Sequence, residues 1–249
     1  MKKIVFLLLI IASYTSAQNA DSLFVSANGL YKNGKFKEAI EQYKAIESKG
    51  LVSSELYYNL GNSYYKLNKV GPSIYFYEKA LKLDPLNKDV GINLVFAKRL
   101  ALDNIEALPK TIFQKFNKNY LQKLSYNQWA ILVVVLSVLA SLFFLMFYFV
   151  EASLKKRIYF IASIFSFLLL LGSFFITENQ YNLSKNKKEA IVFASKTSIK
   201  NAPTFNAEEI FTLHEGAKVI VLDTIDDWKK IKIADGKLGW IIASEIKEI

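Results

Sequence analysis

The chain has 249 residues, of which 32 are Lys or Arg and 22 are Asp or Glu, giving a formal net charge of +10. It contains no cysteine, which excludes a disulfide, a thiolate metal site and a cysteine nucleophile. The net charge is unevenly divided along the chain, but no predicted module carries a dense basic stripe, so it gives little support to nucleic-acid binding. Apolar residues concentrate in three blocks, a pattern typical of export and membrane insertion.

The N-terminus has the organisation of an export signal. Lys2 and Lys3 precede the apolar run 4–12, and small residues follow as far as Ala17. This order predicts a signal peptide over residues 1–17 that is cleaved after Ala17. The apolar run is too short to cross a bilayer comfortably. An uncleaved anchor is the alternative, and it also places the following residues outside the cytoplasm.

Residues 20–87 repeat with a period of 34, which aligns Ala27 with Gly61 and Tyr43 with Tyr77. This period is typical of a helix–turn–helix unit in which small residues let two helices approach closely. The second unit carries Leu60-Gly61, Ala80-Leu81 and the closing Asp84-Pro85, and the segment resembles the tetratricopeptide repeat family. Apolar residues at helical spacing between Asp89 and Leu102 predict one more helix, either a half-repeat or a cap. We therefore predict a tetratricopeptide domain with a capping helix over residues 18–107.

The resemblance implies a partner-binding groove lined by the first helix of each unit. The aligned positions carry aromatic and amide side chains, a chemistry suited to an extended peptide. Phe24 and Asp89 stand where a clamp for a C-terminal carboxylate has basic residues, which argues against such a clamp. The alternative is that the tyrosines are scaffold aromatics shielded by neighbouring helices. The predicted partner-binding residues are Asn28, Tyr31, Tyr58, Asn59, Asn62 and Tyr65.

Residues 108–123 form a basic segment that contains four lysines and no acidic residue. Phe113, Phe116 and Tyr120 recur at helical spacing, which predicts an amphipathic juxtamembrane helix that lies on the membrane lipid. A solvated linker is the alternative.

Two uncharged apolar stretches follow, at 124–150 and 158–177. Each reaches the ~20 residues needed to cross a bilayer, so we predict two transmembrane helices. The seven-residue connection 151–157 forces an antiparallel hairpin, and its Lys155-Lys156-Arg157 cluster favours the cytoplasm. Both terminal domains then lie on the periplasmic side of the inner membrane.

After a predicted linker at 178–188, residues 189–249 change to short alternating runs at 190–193, 219–222, 228–233 and 238–242. Asp235-Gly236 lies between two of these runs and is a strong hairpin signal. Such a segment predicts a small all-β barrel.

The segments His214-Glu215-Gly216 and Gly239-Trp240-Ile241 resemble the bacterial SH3 family. The resemblance implies an aromatic groove for cell-wall or protein peptides, formed by Trp228 and Trp240. We expect Trp228 on the surface, whereas packing in the barrel core is favoured for Trp240. His214 is predicted to be an exposed turn residue, and a lone His makes no metal site.

The sequence carries no phosphate-binding Gly loop, no HExxH motif and no nucleophile elbow. We therefore expect no enzyme activity, no catalytic residues, no cofactor and no metal. The predicted fold class is a multidomain membrane protein with all-α tetratricopeptide repeats, a two-helix transmembrane hairpin and a C-terminal all-β SH3-like barrel.

The order of these modules resembles the tetratricopeptide proteins of the Bacteroides aerotolerance (Bat) operons, the BatE-like family. The run 93–99, Asn-Leu-Val-Phe-Ala-Lys-Arg, and the run 103–106, Asp-Asn-Ile-Glu, are similar to that family's segment after its repeats. The resemblance implies an inner-membrane adaptor whose partners are other Bat proteins, including von Willebrand factor A proteins, with a part in envelope stress or oxygen tolerance. The alternative is a cell-wall anchor that binds peptidoglycan through the SH3-like domain. A sensor of envelope state is a third hypothesis, which the short cytoplasmic loop disfavours.

Overall fold

The computed structural model describes residues 21–186 and 188–249. The predicted signal peptide, residues 1–17, lies outside these residues. The chain divides into two compact units. The first combines the residues up to Leu108 with Glu189–Ile249, and the second is Pro109–Lys188. The two terminal domains therefore share one unit, although the whole second unit separates them in sequence.

Between residues 21 and 108, the first unit contains five helices, which follow the 34-residue period of the sequence. They are α1 (21–32), α2 (Phe36–Ser48), α3 (Ser54–Lys66), α4 (Val70–Leu83) and α5 (Lys88–Arg99). α4 begins 34 residues after α2, and α5 begins 34 residues after α3. The same offset relates the N-caps Ser53 and Asn87, whose side chains accept from the backbone of the first turn of α3 and α5. α5 is therefore the first helix of a third, incomplete repeat, so the half-repeat alternative describes it better than a separate cap.

Close packing of α3 against α4 depends on small residues. A Cβ added to Gly61 would lie 2.6 Å from the ring of Tyr77, so only glycine fits there. The Ser73 hydroxyl donates to the Gly61 carbonyl oxygen at 3.0 Å and is itself fully buried. Leu60 and Ile74 complete the contact and are inaccessible to solvent.

The C-terminal barrel has seven strands in the order β3-β2-β6-β5-β4-β1-β7. The hairpin predicted at Asp235-Gly236 is confirmed, because β5 and β6 pair antiparallel and Gly236 has φ +96°. β1, β4, β5 and β6 fall on the predicted alternating runs, whereas β2, β3 and β7 were not predicted. The strands are β1 (Lys188–Val192), β2 (Lys196–Lys200), β3 (Glu209–His214), β4 (Lys218–Ile225), β5 (Trp228–Lys232), β6 (Leu238–Ile242) and β7 (Ile246–Glu248).

The second unit contains the helices α6 (Ile112–Asn119), α7 (Tyr126–Phe149) and α8 (Ser153–Asn186). A short 3-10 helix, Leu121–Lys123, joins α6 to α7. α8 begins four residues before Arg157 and continues to Asn186, so the connection between the long helices is shorter than predicted. The predicted linker 178–188 is wrong over most of its length, because no Gly or Pro ends the helix there.

α7 and α8 form an antiparallel hairpin. Near its turn, the rings of Phe147 and Phe160 lie 5.2 Å apart, and near its open end those of Tyr126 and Tyr181 lie 5.8 Å apart. Between them, the Ser163 hydroxyl donates to the Ala140 carbonyl oxygen at 3.2 Å. Both helices are long and apolar enough to cross a membrane, and most of their apolar side chains remain exposed. A core helix of a soluble domain would bury most of that surface.

α6 is the predicted amphipathic segment. Thr111 and Gln114 form a capping box at its start, which fixes where the helix begins. Ile112 and Phe113 leave 83% and 86% of their surface exposed, so its apolar side has no cover within the described residues. The predicted fold class, helical repeats followed by two apolar helices and an all-β barrel, is confirmed.

Candidate functional site

The helical repeats form a cavity of about 260 Å³ that opens on the face of α1, α3 and α5. Four of the six predicted site residues line it, namely Tyr31, Tyr58, Asn62 and Tyr65. The sequence reasoning missed the other lining residues, which are Lys66, Tyr77, Asn93 and Phe96. Asn93 could have been found, because it lies 34 residues after the predicted Asn59.

A hydrogen-bond network holds the floor of this cavity. The Tyr77 hydroxyl donates to Asn62 Oδ1 at 2.6 Å, and Asn93 Nδ2 donates to the same oxygen at 2.8 Å. Asn93 Nδ2 also donates to the Tyr58 hydroxyl at 3.1 Å. The network fixes the amide orientation of Asn62 and joins three helices, α3, α4 and α5.

The same network occurs one repeat earlier. There the Tyr43 hydroxyl donates to Asn28 Oδ1 at 2.6 Å, and Asn59 Nδ2 donates to that oxygen at 3.0 Å. Asn28 and Asn59, both predicted to contact a partner, are not among the residues that line the cavity. Their side chains tie the first repeat to the second, and the 34-residue period alone did not show which amides pair with each other.

Burial favours the neutral form of three tyrosines in these networks and the cavity lining, namely Tyr31, Tyr43 and Tyr77. Burial raises the pKa of Tyr31, and the neighbouring Tyr58 raises it further. Burial also raises the pKa of Tyr77 well above its ordinary value, and it raises that of Tyr43 to about 12. A neutral phenol can donate a hydrogen bond, so these side chains serve as donors and as aromatic surface.

Both residues of the predicted aromatic groove are buried in the barrel. Trp228 and Trp240 are 5% and 8% exposed, so both rings are buried. The expectation that Trp228 lies on the surface is wrong, because the loop 201–208 folds over it and places the Phe205 ring 5.2 Å away. The Lys200 ammonium fixes this loop by donating to the carbonyl oxygens of Phe205 and Ala207 at 2.8 and 2.9 Å.

Phe205 is the aromatic residue that this surface presents to solvent, with 70% of its surface exposed. The strand register places Trp240 opposite both Lys200 and Lys230, on the face that carries Trp228. Trp240 is buried, but it does not pack in the barrel core as expected, because neither tryptophan belongs to the buried cluster that forms that core. No sequence pattern indicated Phe205, because it stands in an irregular loop outside any alternating run.

The barrel packs directly against the helical repeats. Ile191 of β1 is fully buried within the core of the repeats, and the rings of Phe193 and Tyr75 meet edge to face at 5.6 Å. The Gly71 N–H at the start of α4 donates to Glu215 Oε1 at 3.0 Å. A Cβ on Gly71 would lie 2.8 Å from the Glu215 side chain, so the two surfaces are in close contact.

A partly buried network of ions crosses this interface. The Glu78 carboxylate of α4 accepts from Lys98 at 2.7 Å and from Lys218 of β4 at 2.9 Å. Lys218 also pairs with Glu189 at 2.7 Å. Burial acts to raise the pKa of Glu78, but Lys218 and Lys98 outweigh it and the pKa lies below its ordinary value. Burial likewise opposes the charge of Lys218, and its two carboxylate partners raise its pKa above the ordinary value.

The segment 103–108 ties the end of the repeats to the barrel. Asp103 accepts from the His214 backbone N–H at 2.6 Å, and its other carboxylate oxygen lies 2.8 Å from His214 Nδ1. Ile105 packs against the barrel core, and the Leu108 N–H donates to the Ala234 carbonyl oxygen at 3.1 Å. The prediction that His214 is an exposed turn residue is wrong, because it ends β3 and its side chain is 28% exposed beside Asp103.

These contacts define a protein built from interaction modules that share a core. A family model described as tetratricopeptide repeat matches residues 54–87, which are α3, α4 and the turn that follows. A family model described as bacterial SH3 domain matches residues 195–247, which span β2 to β7. No curated protein matches the chain. The chain therefore carries a tetratricopeptide repeat, which points to protein–protein interaction, and a bacterial SH3 domain, which points to cell-wall binding.

Proposed function

We propose that this protein is a non-enzymatic membrane adaptor whose tetratricopeptide groove binds a protein partner outside the cytoplasm. The observation that carries the proposal is the open cavity on the α1–α3–α5 face, to which Tyr31, Tyr58 and Tyr65 contribute rigid aromatic side chains. Such side chains provide contact area at low entropic cost. The network beneath them holds Asn62 in one orientation before a partner binds.

Membrane insertion is supported by the exposed apolar surface of α7 and α8. The basic residues Lys155, Lys156 and Arg157 lie at the turn of this hairpin, which favours a cytoplasmic turn. Because the repeats and the barrel share a core, they must lie in the same compartment. We infer that both domains face the periplasm, with the hairpin in the inner membrane and α6 on the lipid surface.

We further propose a role of the kind played by BatE-like proteins. The order of helical repeats, apolar hairpin and bacterial SH3 domain supports it, together with the runs at 93–99 and 103–106. The partners would then be other Bat-type membrane proteins, and the complex would serve oxygen tolerance or the response to envelope stress.

Site-specific photo-crosslinking in intact membranes tests the adaptor function. A photoreactive residue replaces Asn62 or Tyr65 in the cavity lining, and the control position is Glu41, which is exposed on α2. We expect one discrete protein adduct from the groove positions and none of that mass from the control. Absence of an adduct from every groove position would refute the adaptor function.

A cell-wall anchor is the second candidate, and the exposed Phe205 ring above Trp228 favours it. Aromatic surfaces of this kind can stack on sugar rings and peptide planes. Co-sedimentation of the purified full-length protein with peptidoglycan tests it, with Phe205→Ala as the variant. Retention that depends on Phe205 supports anchoring, whereas retention that is absent or independent of this ring counts against it.

A further inference from the structure

The charge and hydrogen-bonding capacity of the tetratricopeptide groove restrict what it can hold. We propose that the groove selects an extended segment whose acidic side chain meets Lys66 and whose neighbouring apolar side chain packs on Phe96. This inference rests on the proposed adaptor function and specifies the chemistry of the partner.

Two of the hydrogen-bond acceptors of the groove are already used within the protein. Asn62 Oδ1 receives both the Tyr77 hydroxyl and Asn93 Nδ2. The Tyr58 oxygen receives a hydrogen bond from Asn93 as well. Asn62 Nδ2, by contrast, donates to no other residue in the described part of the chain, so it is available to a ligand oxygen. The Asn62 amide can therefore donate to an oxygen acceptor of the ligand.

The charge of the cavity lining favours an acidic ligand. Lys66 is the one charged side chain among the residues that line the cavity, and no carboxylate lines it. Lys66 is exposed and forms no ion pair with another described residue, so its ammonium can pair with a ligand carboxylate at no cost to an existing contact. A basic ligand residue at this place would meet like charge and find no partner.

The charges on α3 also orient the ligand. Glu55 lies in the first turn of α3 and Lys66 in its last turn. The two residues are separated by about 16 Å along the helix, at 1.5 Å per residue. Because this distance exceeds the screening length in physiological salt, Glu55 does not offset the charge of Lys66. The acidic side chain of the ligand is therefore attracted to the Lys66 end of the groove. Phe96, 47% exposed, lines the same cavity and provides the apolar contact beside it.

An array of immobilised extended peptides of one fixed length tests the proposal. The peptides differ only in whether one position carries Glu, Gln or Lys, next to Leu or Ser. The full-length protein in detergent is applied as wild type, as Lys66→Glu and as Lys37→Glu. Lys37 is an exposed lysine of α2 outside the cavity lining and serves as the charge-matched control.

We expect wild type and Lys37→Glu to retain Glu-Leu peptides about fivefold more than Lys-Leu peptides, the upper range for one exposed ion pair. Lys66→Glu should lose this preference or reverse it, since reversal of the charge turns attraction into repulsion. Peptide binding without an acid preference would overturn the inference and leave the adaptor function standing. Binding of no peptide at all would overturn both.

Discussion

Replacement of Glu78 by Gln should weaken the contact between the repeats and the barrel. The carboxylate is 12% exposed and accepts from Lys98 and Lys218, and Lys218 is 30% exposed. The amide keeps the shape of the side chain but removes the charge that both ammonium groups face. Lys218 then retains Glu189 as its one ion-pair partner among the described residues.

The magnitude follows from the burial of this network. Removing one partner of a fully buried ion pair costs about 3–5 kcal/mol. Since Lys218 is partly exposed and keeps one carboxylate, we expect about 2 kcal/mol, which for a unit of this size lowers Tm by about 4–8 °C. Thermal unfolding of the full-length protein in detergent, followed by circular dichroism, measures the shift. Glu41→Gln, which removes one exposed charge from α2, is the control.

Acidification should remove the same stabilisation in the wild type. The pKa of Glu78 in the folded protein lies below its ordinary value of 4.5, so its contribution is complete above that pH. It is lost as pH falls through the lowered pKa of the folded state. The Tm difference between wild type and Glu78→Gln should therefore shrink below pH 4.5. Equal Tm values for Glu78→Gln and Glu41→Gln at neutral pH would show that the network adds nothing to stability.

Two further substitutions probe packing. Gly61→Ala should lower the free energy of unfolding by about 1–3 kcal/mol, because its Cβ would lie 2.6 Å from the Tyr77 ring. Gly29→Ala, where a Cβ meets nothing within 4 Å inside α1, should leave Tm unchanged or higher, and equal losses from both would contradict the packing argument. Phe205→Ala should uncover Trp228, which we expect to increase acrylamide quenching of tryptophan fluorescence. Unchanged quenching would mean that other residues cover the ring.

Local signals in the sequence were sufficient for most of the helical repeats. The period of 34, together with Ser53 and Asn87 at matching cap positions, sets where α3 and α5 begin. The barrel was only partly predictable. β2 has the sequence Lys-Thr-Ser-Ile-Lys, in which Ile199 is the one apolar residue, so the pattern is too polar to identify a strand.

The contact between the domains could not be predicted, because no local pattern records it. Glu78 and Lys218 are 140 residues apart, and each by itself resembles an ordinary surface charge on an amphipathic element. Asp103 and His214, 111 residues apart, show the same problem. His214 was predicted to be an isolated turn residue because its partner lies on the far side of the apolar hairpin in sequence. The same distance hid the packing of Ile191 against the repeats.

The shared core restricts how the chain between the two domains can cross a membrane. Ile191 and Phe193 of the barrel pack against the repeats, so a single membrane span between Leu108 and Glu189 would separate surfaces that bury each other. The number of spans in that stretch must therefore be even. A hairpin that crosses a membrane meets this condition with two spans, and the antiparallel helices bring Tyr126 and Tyr181 side by side at the open end. Since closure of a longer loop costs little more than closure of a short one, the insertion of a hairpin between two packed domains is compatible with a stable common core.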